Sequence, residues 1–211
     1  MKKIGDTSYK ETAFGIIPPS KLIPLEIEGT KKAWDFIITE SKKGRISLTI
    51  DFLLKLHQIG YGWIFPDIAG QFRKIDVKVS EHIPPKFYQV REMMAEFIKD
   101  LKIRLIHLPS TFDLKYINDL CELLAWAHHR FLWIHPFQDY NGRISRLLNN
   151  VILLNLNLPP IELKVETPTG RKTYIHALQK ADNGSYRDLE KIIKSAIEES
   201  LKEVEKTLIK S

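Results

Sequence analysis

Twelve residues near the middle of the chain, HPFQDYNGRISR at positions 135 to 146, bring together an imidazole, a carboxylate, an amide and two guanidinium groups. His135 precedes a proline, and a residue in that position is pushed out of the helical region. A helix is predicted to begin at Asn141-Gly142, so its free N–H groups and positive dipole end would face the irregular segment before it. Such a helix end binds phosphate, and Gly142 lets the backbone approach an anion closely.

The charged residues of this segment fit the same ligand. Arg143 and Arg146 are three residues apart on one helical face, so both can reach a single polyphosphate. Asp139 offers one hard oxygen ligand, which suits a Mg²⁺ held mainly by phosphates and water. His135 can accept a proton near neutral pH, because an unperturbed imidazole has a pKa of roughly 6.5. The segment therefore predicts phosphoryl-type transfer from a nucleoside triphosphate.

Helices must position this segment, because helical periodicity dominates the sequence. DLKYINDLCELLAWAHHRFLWI before it and GRISRLLNNVILLNLN within and after it are apolar around much of their circumference, which predicts two buried central helices. Residues 1–24 end in the proline-rich IIPPSKLIP and are predicted to be an extended arm. Ile75, Val77 and Val79 alternate with polar residues, which is typical of one strand of a short hairpin. The expected fold is one all-α domain with a small β insertion.

Composition narrows the function further. With 211 residues, of which 44% are hydrophobic and 27% charged, the chain has the make-up of one soluble globular domain. The net charge is +6, but the lysines are interleaved with glutamates, so no nucleic-acid partner is expected. The sequence has no run of roughly 18 apolar residues, so no membrane partner is expected either. The single Cys121 fits a reducing compartment, and the predicted location is the cytoplasm.

The segment resembles the signature of the Fic domain, His-Pro-Phe-x-Asp/Glu-Gly-Asn-Gly-Arg-x-x-Arg. The similarity continues outside it: AGQFRKIDVKV and HIPP resemble the family's flap region, and YIHALQKADNG resembles the helix and turn that line its adenine pocket. The resemblance covers about residues 25–205, between the arm and a C-terminal tail at 206–211. It implies the helical Fic fold with a small β-hairpin flap. It also implies Mg²⁺-dependent transfer of AMP from ATP to a Ser, Thr or Tyr hydroxyl of a target protein, a reaction that some members reverse.

The resemblance also implies a role for each matched residue of the motif. His135 would be the general base, and Asp139 would hold Mg²⁺. Asn141 and the backbone of Gly142 would cradle the α- and β-phosphates. The leaving pyrophosphate would be neutralised by the two motif arginines, Arg143 and Arg146.

Two further regions are implied to bind the substrates. The flap, about residues 74 to 83, would bind the target protein by strand addition through Val77, Lys78 and Val79. Tyr174 and Asp182 fall where the family contacts adenine, although the family more often has Asn at the second of these positions.

Position 140 departs from the family pattern, because it is Tyr where the motif has Gly. If the site requires a positive φ angle, the tyrosine would be strained. If it does not, the ring only shapes the wall of the pocket. We favour the second interpretation.

Regulation is expected to involve a glutamate. Many Fic proteins carry an inhibitory helix with the pattern Ser/Thr-x-x-x-Glu-Gly/Asn, whose glutamate pairs with the second motif arginine. PLEIEGT supplies Glu28 and Gly29 but has Pro24 at the first position, where a proline can occupy the first turn of a short helix. SAIEES supplies a rival, Glu199, in a charged amphipathic helix. We favour Glu28, which would reach Arg146.

Two other functions stay open. The same chemistry could place another nucleotide or phosphate-containing group on the target, or the chain could be a catalytically silent module that binds a partner through the flap. The C-terminal helix is basic and amphipathic and is suited to pairing with a second copy of the chain. Outside the motif, His128 and His129 are expected only to pack or to form hydrogen bonds in a buried helix, and His57 flanks an apolar helix face without a recognisable arrangement.

Overall fold

The structure is a computed structural model that describes residues 10–210 apart from 112 and 166. Within these residues the chain forms a short hairpin followed by seven α-helices, with one 3₁₀ turn at Phe87–Gln89. The strands are β1 (Lys10–Thr12) and β2 (Gly15–Ile17). The helices are α1 (Pro19–Ser41), α2 (Ile50–Tyr61), α3 (Val90–Ile106), α4 (Leu114–Ile134), α5 (Asn141–Asn155), α6 (Pro168–Asp182) and α7 (Arg187–Lys210).

Helix α4 lies at the centre of the bundle, in contact with α3, α5, α6 and α7. It begins where the Asp113 side chain accepts the amide of Tyr116 at 2.9 Å, and it ends at Ile134. That end was predicted, because the next residue precedes Pro136. The α4 face that meets the rest of the core is apolar and fully buried at Leu120, Leu124 and Phe131. The predicted all-α fold with a small β-hairpin is confirmed, and none of the described helices combines the length and apolar character that crossing a bilayer requires.

The N-terminal arm differs from its prediction. The segment 1–24 was expected to be extended, but within its described part β1 and β2 pair as a hairpin, with Lys10 opposite Ile17. Helix α1 already begins at Pro19 and runs through Pro24, which was expected to stand in the first turn. Proline is well suited to the first position of a helix, so Pro19 can start α1 earlier than the periodicity indicated.

The flap also differs from its prediction. The alternation at Ile75, Val77 and Val79 predicted a strand, but the structure forms only one antiparallel bridge, between Val79 and His82, with two hydrogen bonds of 3.0 Å. The backbone carbonyl of Ile75 accepts a hydrogen bond from the guanidinium of Arg73 instead of from a partner strand. The alternating apolar residues therefore belong to a loop in which Ile75 and Val79 are exposed, and the described regular strands lie at residues 10–17.

Helices α1 and α2 approach each other closely at Gly29 and Gly60. A Cβ atom placed on Gly29 would lie 2.3 Å from the carbonyl oxygen of Gly60. Gly60 lies one residue before the end of α2 at Tyr61. The Tyr61 hydroxyl then reaches Thr30 of α1 at 3.0 Å. The Glu-Gly pair that suggested an inhibitory motif thus has a packing reason for its glycine.

We predict that Gly29→Ala destabilises the protein, because the new methyl group would collide with rigid backbone. Overpacking of this kind lowers the free energy of unfolding by about 1–3 kcal/mol. Thermal unfolding followed by circular dichroism measures the loss. Glu28→Ala is the matched control, since Glu28 is exposed on the same helix, and equal melting temperatures for the two variants would contradict the close approach.

Candidate active site

The loop between α4 and α5 begins and ends on a residue with a left-handed backbone. His135 has φ 51° and ψ 59°, and Tyr140 has φ 64° and ψ 12°. A side chain in this region costs roughly 1–2 kcal/mol per residue. The interpretation of Tyr140 as unstrained is therefore wrong, because the turn into α5 does require a positive φ angle there.

A buried amide fixes the shape of this loop. The Asn141 side chain donates to the carbonyl of Phe137 at 2.8 Å and accepts the Phe137 amide at 2.9 Å, and Asn141 is only 2% exposed. Both ends of the amide are thus engaged inside the protein. The prediction that this side chain cradles a phosphate is not supported by the geometry, and Asn141 positions the loop instead.

His57 supports the loop from α2. Its ring stacks on Phe137 with centroids 3.9 Å apart. The Gly70 amide donates to Nδ1 at 3.0 Å, so the ring proton lies on Nε2, which faces the Asp139 carbonyl at 3.2 Å. Burial lowers the pKa of His57 to about 4, so this neutral tautomer persists near pH 7. Sequence reasoning found no arrangement for His57 and missed its link to the motif.

Arg73 joins the loop to the flap and was missed entirely. This arginine is buried, and its Nε donates to the carbonyl of His135 at 2.8 Å. The guanidinium also donates to the carbonyls of Ile75, at 2.9 Å, and of Pro85, at the two ends of the flap. A basic residue within a run of charged residues carries no sequence signal for such a role.

The imidazole of His135 is prepared to accept a proton. Its Nδ1 lies 3.3 Å from the carbonyl of Leu132 and donates to it, which leaves the lone pair on Nε2. Burial lowers the pKa of His135 to about 4, and the charge of Arg73 acts in the same direction. The ring is only half-buried, so Nε2 can meet a substrate in its neutral form.

The start of α5 retains free hydrogen-bond donors. Arg143 is the first residue whose amide finds a partner, the carbonyl of Tyr140 at 3.1 Å. Within the part of the chain that the structure describes, no hydrogen bond takes up the amides of Asn141 and Gly142. Arg143 and Arg146 line one shared cavity of about 800 Å³ below α1. The structure thus places the two motif arginines on one cavity, and the amides without a partner directly precede Arg143 in the chain.

Glu26 of α1, which the sequence analysis did not single out, reaches into this site. Its carboxylate accepts Tyr140 Oη at 2.7 Å and Arg143 Nη2 at 2.9 Å. Burial lowers the pKa of the Arg143 guanidinium. The hydrogen bond and the negative charge of Glu26 raise it, and the net result is a raised pKa. Tyr140 also stacks on Tyr61, with centroids 3.9 Å apart. These contacts hold the strained tyrosine in place.

The expected inhibitory contact of Glu28 with Arg146 is not found. Glu28 is exposed and forms no ion pair within the described residues. Residues 26 and 28 are separated by roughly 200° around a helix, so only one of them can face the motif. The prediction assumed a short helix near Pro24, whereas α1 is continuous from Pro19. The rival, Glu199, pairs with Lys164 on the surface at 2.6 Å.

Asp139 fits a cation. The ammonium of Lys10, on β1, pairs with its Oδ2 at 2.6 Å, while Oδ1 accepts the amide of Tyr140 at 2.7 Å. Among the described residues, no cluster of three or more His, Cys, Asp or Glu side chains could hold a metal alone. One carboxylate that already attracts a positive group suits Mg²⁺ bound mainly through phosphates and water. The Lys10 ammonium supplies this carboxylate with a positive charge, as a bound cation would.

A second cavity, of about 730 Å³, opens between the flap, α4 and α6. Asp182 and Val79 line it, as the resemblance implied for an adenine-binding region and a flap. Tyr174 does not line this cavity: it is buried, and its hydroxyl lies 2.6 Å from His128 Nε2. Val79 and Lys78 are exposed, whereas Val77 is half-buried. The Tyr174 side chain hydrogen-bonds with Arg146 of the motif, so its predicted contact with the nucleotide stays a prediction and would lie outside this cavity.

Comparison with known proteins gives consistent matches. The profile described as the Fic/DOC family matches residues 47–153, just over half of the chain. Proteins named protein adenylyltransferase Fic are 28% identical over 191 residues in Nematostella vectensis and 32% identical over 176 residues in Drosophila melanogaster. These alignments cover 90% and 83% of this chain but only 42% and 33% of the relatives. The chain thus spans less than half the length of these relatives.

Solved structures share the fold. A fragment of Fic-1 from C. elegans is 28% identical, with a TM-score of 0.71 over 88% of this chain and 52% of that chain. A Fic domain containing signaling protein from Bacteroides thetaiotaomicron is 22% identical, with a TM-score of 0.67 over 84% of this chain and 69% of that chain. The second similarity supports the fold alone.

We predict that Lys10→Ala strengthens divalent metal binding at Asp139. The Lys10–Asp139 pair is partly exposed, with side chains 41% and 45% accessible. Such pairs are worth about 0–1 kcal/mol, so the gain should not exceed about fivefold. Paramagnetic broadening of the Tyr140 amide signal during a Mn²⁺ titration measures it. Lys21→Ala, on the exposed surface of α1, removes the same charge elsewhere; identical titrations for both variants would contradict a direct competition.

Proposed function

Because the chain belongs to the Fic/DOC family, we propose that it transfers a nucleoside monophosphate, AMP from ATP, to a Ser, Thr or Tyr hydroxyl of a target protein. The observation that carries this proposal is the loop itself: it holds His135 by Nδ1 to the Leu132 carbonyl at one end and, at the other end, begins α5 with amides of Asn141 and Gly142 that no hydrogen bond takes up within the described residues. Arg143 and Arg146, in the first turns of the same helix, add positive charge and line one cavity. The relatives named protein adenylyltransferase Fic support the choice of reaction.

The residues divide the reaction between them. His135 Nε2 takes the proton of the target hydroxyl as its oxygen forms a bond to the α-phosphorus. The bond from that phosphorus to the bridging oxygen of pyrophosphate breaks, and the negative charge that leaves is met by Arg143 and Arg146. The amide of Gly142 and the α5 dipole stabilise the phosphates. Asp139 would hold Mg²⁺, which supplies further charge neutralisation when bound.

The flap supplies a docking edge for the target. The Val79–His82 bridge leaves its outer backbone groups unpaired, and Ile75, Val79 and Ile83 are 50%, 38% and 72% exposed. A target segment could therefore add as a strand and cover apolar side chains. Arg73 anchors both ends of the flap to the carbonyl of His135, so the docked hydroxyl would be held at a fixed distance from the base.

Glu26, and not Glu28, is proposed to restrain the activity. Its carboxylate neutralises Arg143 before any phosphate arrives, and its side chain is 12% exposed. Arg143 Nη1 is buried without a hydrogen-bond partner within the described residues, so this guanidinium is only half satisfied by Glu26. A triphosphate oxygen could accept hydrogen bonds from both Nη1 and Nη2 of Arg143. The guanidinium would then have a better partner once Glu26 withdraws.

The proposal is tested by transfer of label from α-labelled ATP. We expect weak labelling of the chain or a partner by the native protein, strong labelling by Glu26→Gly, and none when His135→Ala is added. Glu28→Gly should behave like the native protein, because Glu28 is exposed. His107→Ala, at the exposed end of α3, is the control for loss of an imidazole.

One result would decide against this function, and another against the restraint by Glu26. If Glu26→Gly neither binds Mg²⁺-ATP by calorimetry nor labels any protein, the chain is a silent binding module. If Glu28→Gly is the activated variant, the restraint has been assigned to the wrong residue. The cytoplasmic location and the pairing of two copies stay predictions.

The lowered pKa of His135 predicts an acid-resistant activity. A base with a pKa of about 4 keeps its lone pair as the pH falls from 8 to 5, so the transfer rate should stay level and fall only below about pH 5. An ordinary histidine would lose activity near pH 6.5. The pH profile of kcat/KM for Glu26→Gly measures this, with circular dichroism at each pH to exclude unfolding. A loss centred near pH 6.5 would contradict the buried, neutral imidazole.

A further inference from the structure

Three helices meet at a buried hydrogen-bond network that includes the second motif arginine. His128 comes from α4, Arg146 from α5 and Tyr174 from α6. The Tyr174 hydroxyl lies 2.6 Å from His128 Nε2, and the Tyr174 side chain also hydrogen-bonds with Arg146. His128 is fully buried and Tyr174 is 8% exposed, whereas Arg146 lines the cavity below α1. The network therefore links the core of the bundle to the cavity that the two motif arginines share.

The chemistry of the three groups fixes the direction of each hydrogen bond. A guanidinium can only donate, so Arg146 donates to the Tyr174 oxygen. Burial raises the pKa of Tyr174 to about 12, so the hydroxyl keeps its own proton near pH 7. Burial and then the charge of Arg146 lower the pKa of His128 to about 3, so this ring is neutral. His128 Nε2 can therefore accept the hydroxyl proton.

The position of the Tyr174 oxygen is determined from two sides. The Tyr174 ring meets the His128 ring edge to face, with the centroids 5.6 Å apart. A buried hydroxyl that loses its partner costs free energy, so the hydroxyl has one favourable direction, toward Nε2. The lone pairs of the oxygen are then presented at a fixed place on the side of Arg146.

A fixed acceptor matters for a long side chain such as Arg146. Arginine has many rotamers, and ordering them when a ligand binds costs entropy. An acceptor that orders the guanidinium in advance removes part of this cost. The acceptor is a neutral hydroxyl, so this contact orients the guanidinium without cancelling charge. Arg143 differs in this respect, because the carboxylate of Glu26 pairs with it.

We propose that Tyr174, oriented by His128, is a positioning residue that holds the Arg146 guanidinium in place for the pyrophosphate part of the nucleotide. This inference rests on the proposed function, because it takes Arg146 as a group that meets the leaving pyrophosphate. It gives Tyr174 a task at the phosphates, whereas the resemblance implied a contact with adenine.

Binding of Mg²⁺-ATP and of AMP to the Glu26→Gly form of the full chain, measured by calorimetry, tests the proposal. AMP lacks the pyrophosphate and so reports on the rest of the site. Tyr174→Phe keeps the buried ring and loses only the hydroxyl, and we expect it to weaken ATP by about fivefold or more and AMP by less than about twofold. His128→Leu should weaken ATP selectively as well. His128→Gln should retain the native ratio, because its amide oxygen can replace Nε2 as the acceptor.

Tyr186→Phe is the matched control. Tyr186 forms a comparable hydrogen bond with His129, at 3.2 Å, but the other nitrogen of that ring binds Asp182 and not a motif arginine. That variant should keep the native ratio of ATP affinity to AMP affinity. An unchanged ratio in Tyr174→Phe, or an equal change in Tyr186→Phe, would overturn the proposal.

A second measurement needs no nucleotide. The guanidinium N–H signals of Arg146 in ¹⁵N NMR spectra, assigned with Arg146→Lys, should exchange slowly with water in the Glu26→Gly form and faster when Tyr174→Phe is added. Equal exchange in the two forms would overturn the proposal. Binding of no nucleotide by any form would refute the proposed function, and the exchange of these signals would still decide whether Tyr174 holds Arg146.

Discussion

The site depends on one constraint, the left-handed turn that carries the chain from α4 into α5. His135 and Tyr140 both adopt positive φ angles there, and neither is a glycine. This geometry puts His135 and the start of α5 at the two ends of one short loop, and within the described residues the first two amides of α5 have no hydrogen-bond partner. The cost of such backbone is tolerated only when the surroundings hold it firmly. Asn141, His57 and the carbonyl-binding Arg73 provide that hold from three directions.

Charges that would meet a nucleotide have internal partners in this structure. Asp139 pairs with Lys10 of the N-terminal hairpin, and Arg143 pairs with Glu26 of α1. Both partners come from the first 26 residues, before the region that the family profile matches. The N-terminal segment, which differs from its prediction, therefore supplies the charges that pair with Asp139 and Arg143. Tyr140 takes part in the same balance, because its hydroxyl donates to Glu26.

The sequence was sufficient for the framework and for the motif. Apolar runs predicted α4 and α5, and the proline after His135 predicted where α4 ends. The sequence did not reveal the roles of Glu26 and Arg73, because their partners are distant in the sequence. The partners of Arg73 are also backbone carbonyls, which every residue has, so they leave no mark in the sequence. Glu28 was chosen by pattern, but the phase of a continuous helix decides which glutamate faces the site. The strand at 75–79 failed because the alternation of apolar and polar residues did not mark a buried face: Ile75 and Val79 are exposed in a loop.

The position of the phosphates can be measured directly in a crystal structure of the Glu26→Gly chain with a non-hydrolysable nucleoside triphosphate. The geometry described above requires phosphate oxygens on the amide of Gly142, both motif guanidiniums turned toward them, and His135 Nε2 facing the α-phosphorus. A triphosphate bound away from the start of α5, or an imidazole directed into the core with the nucleotide in place, would contradict it.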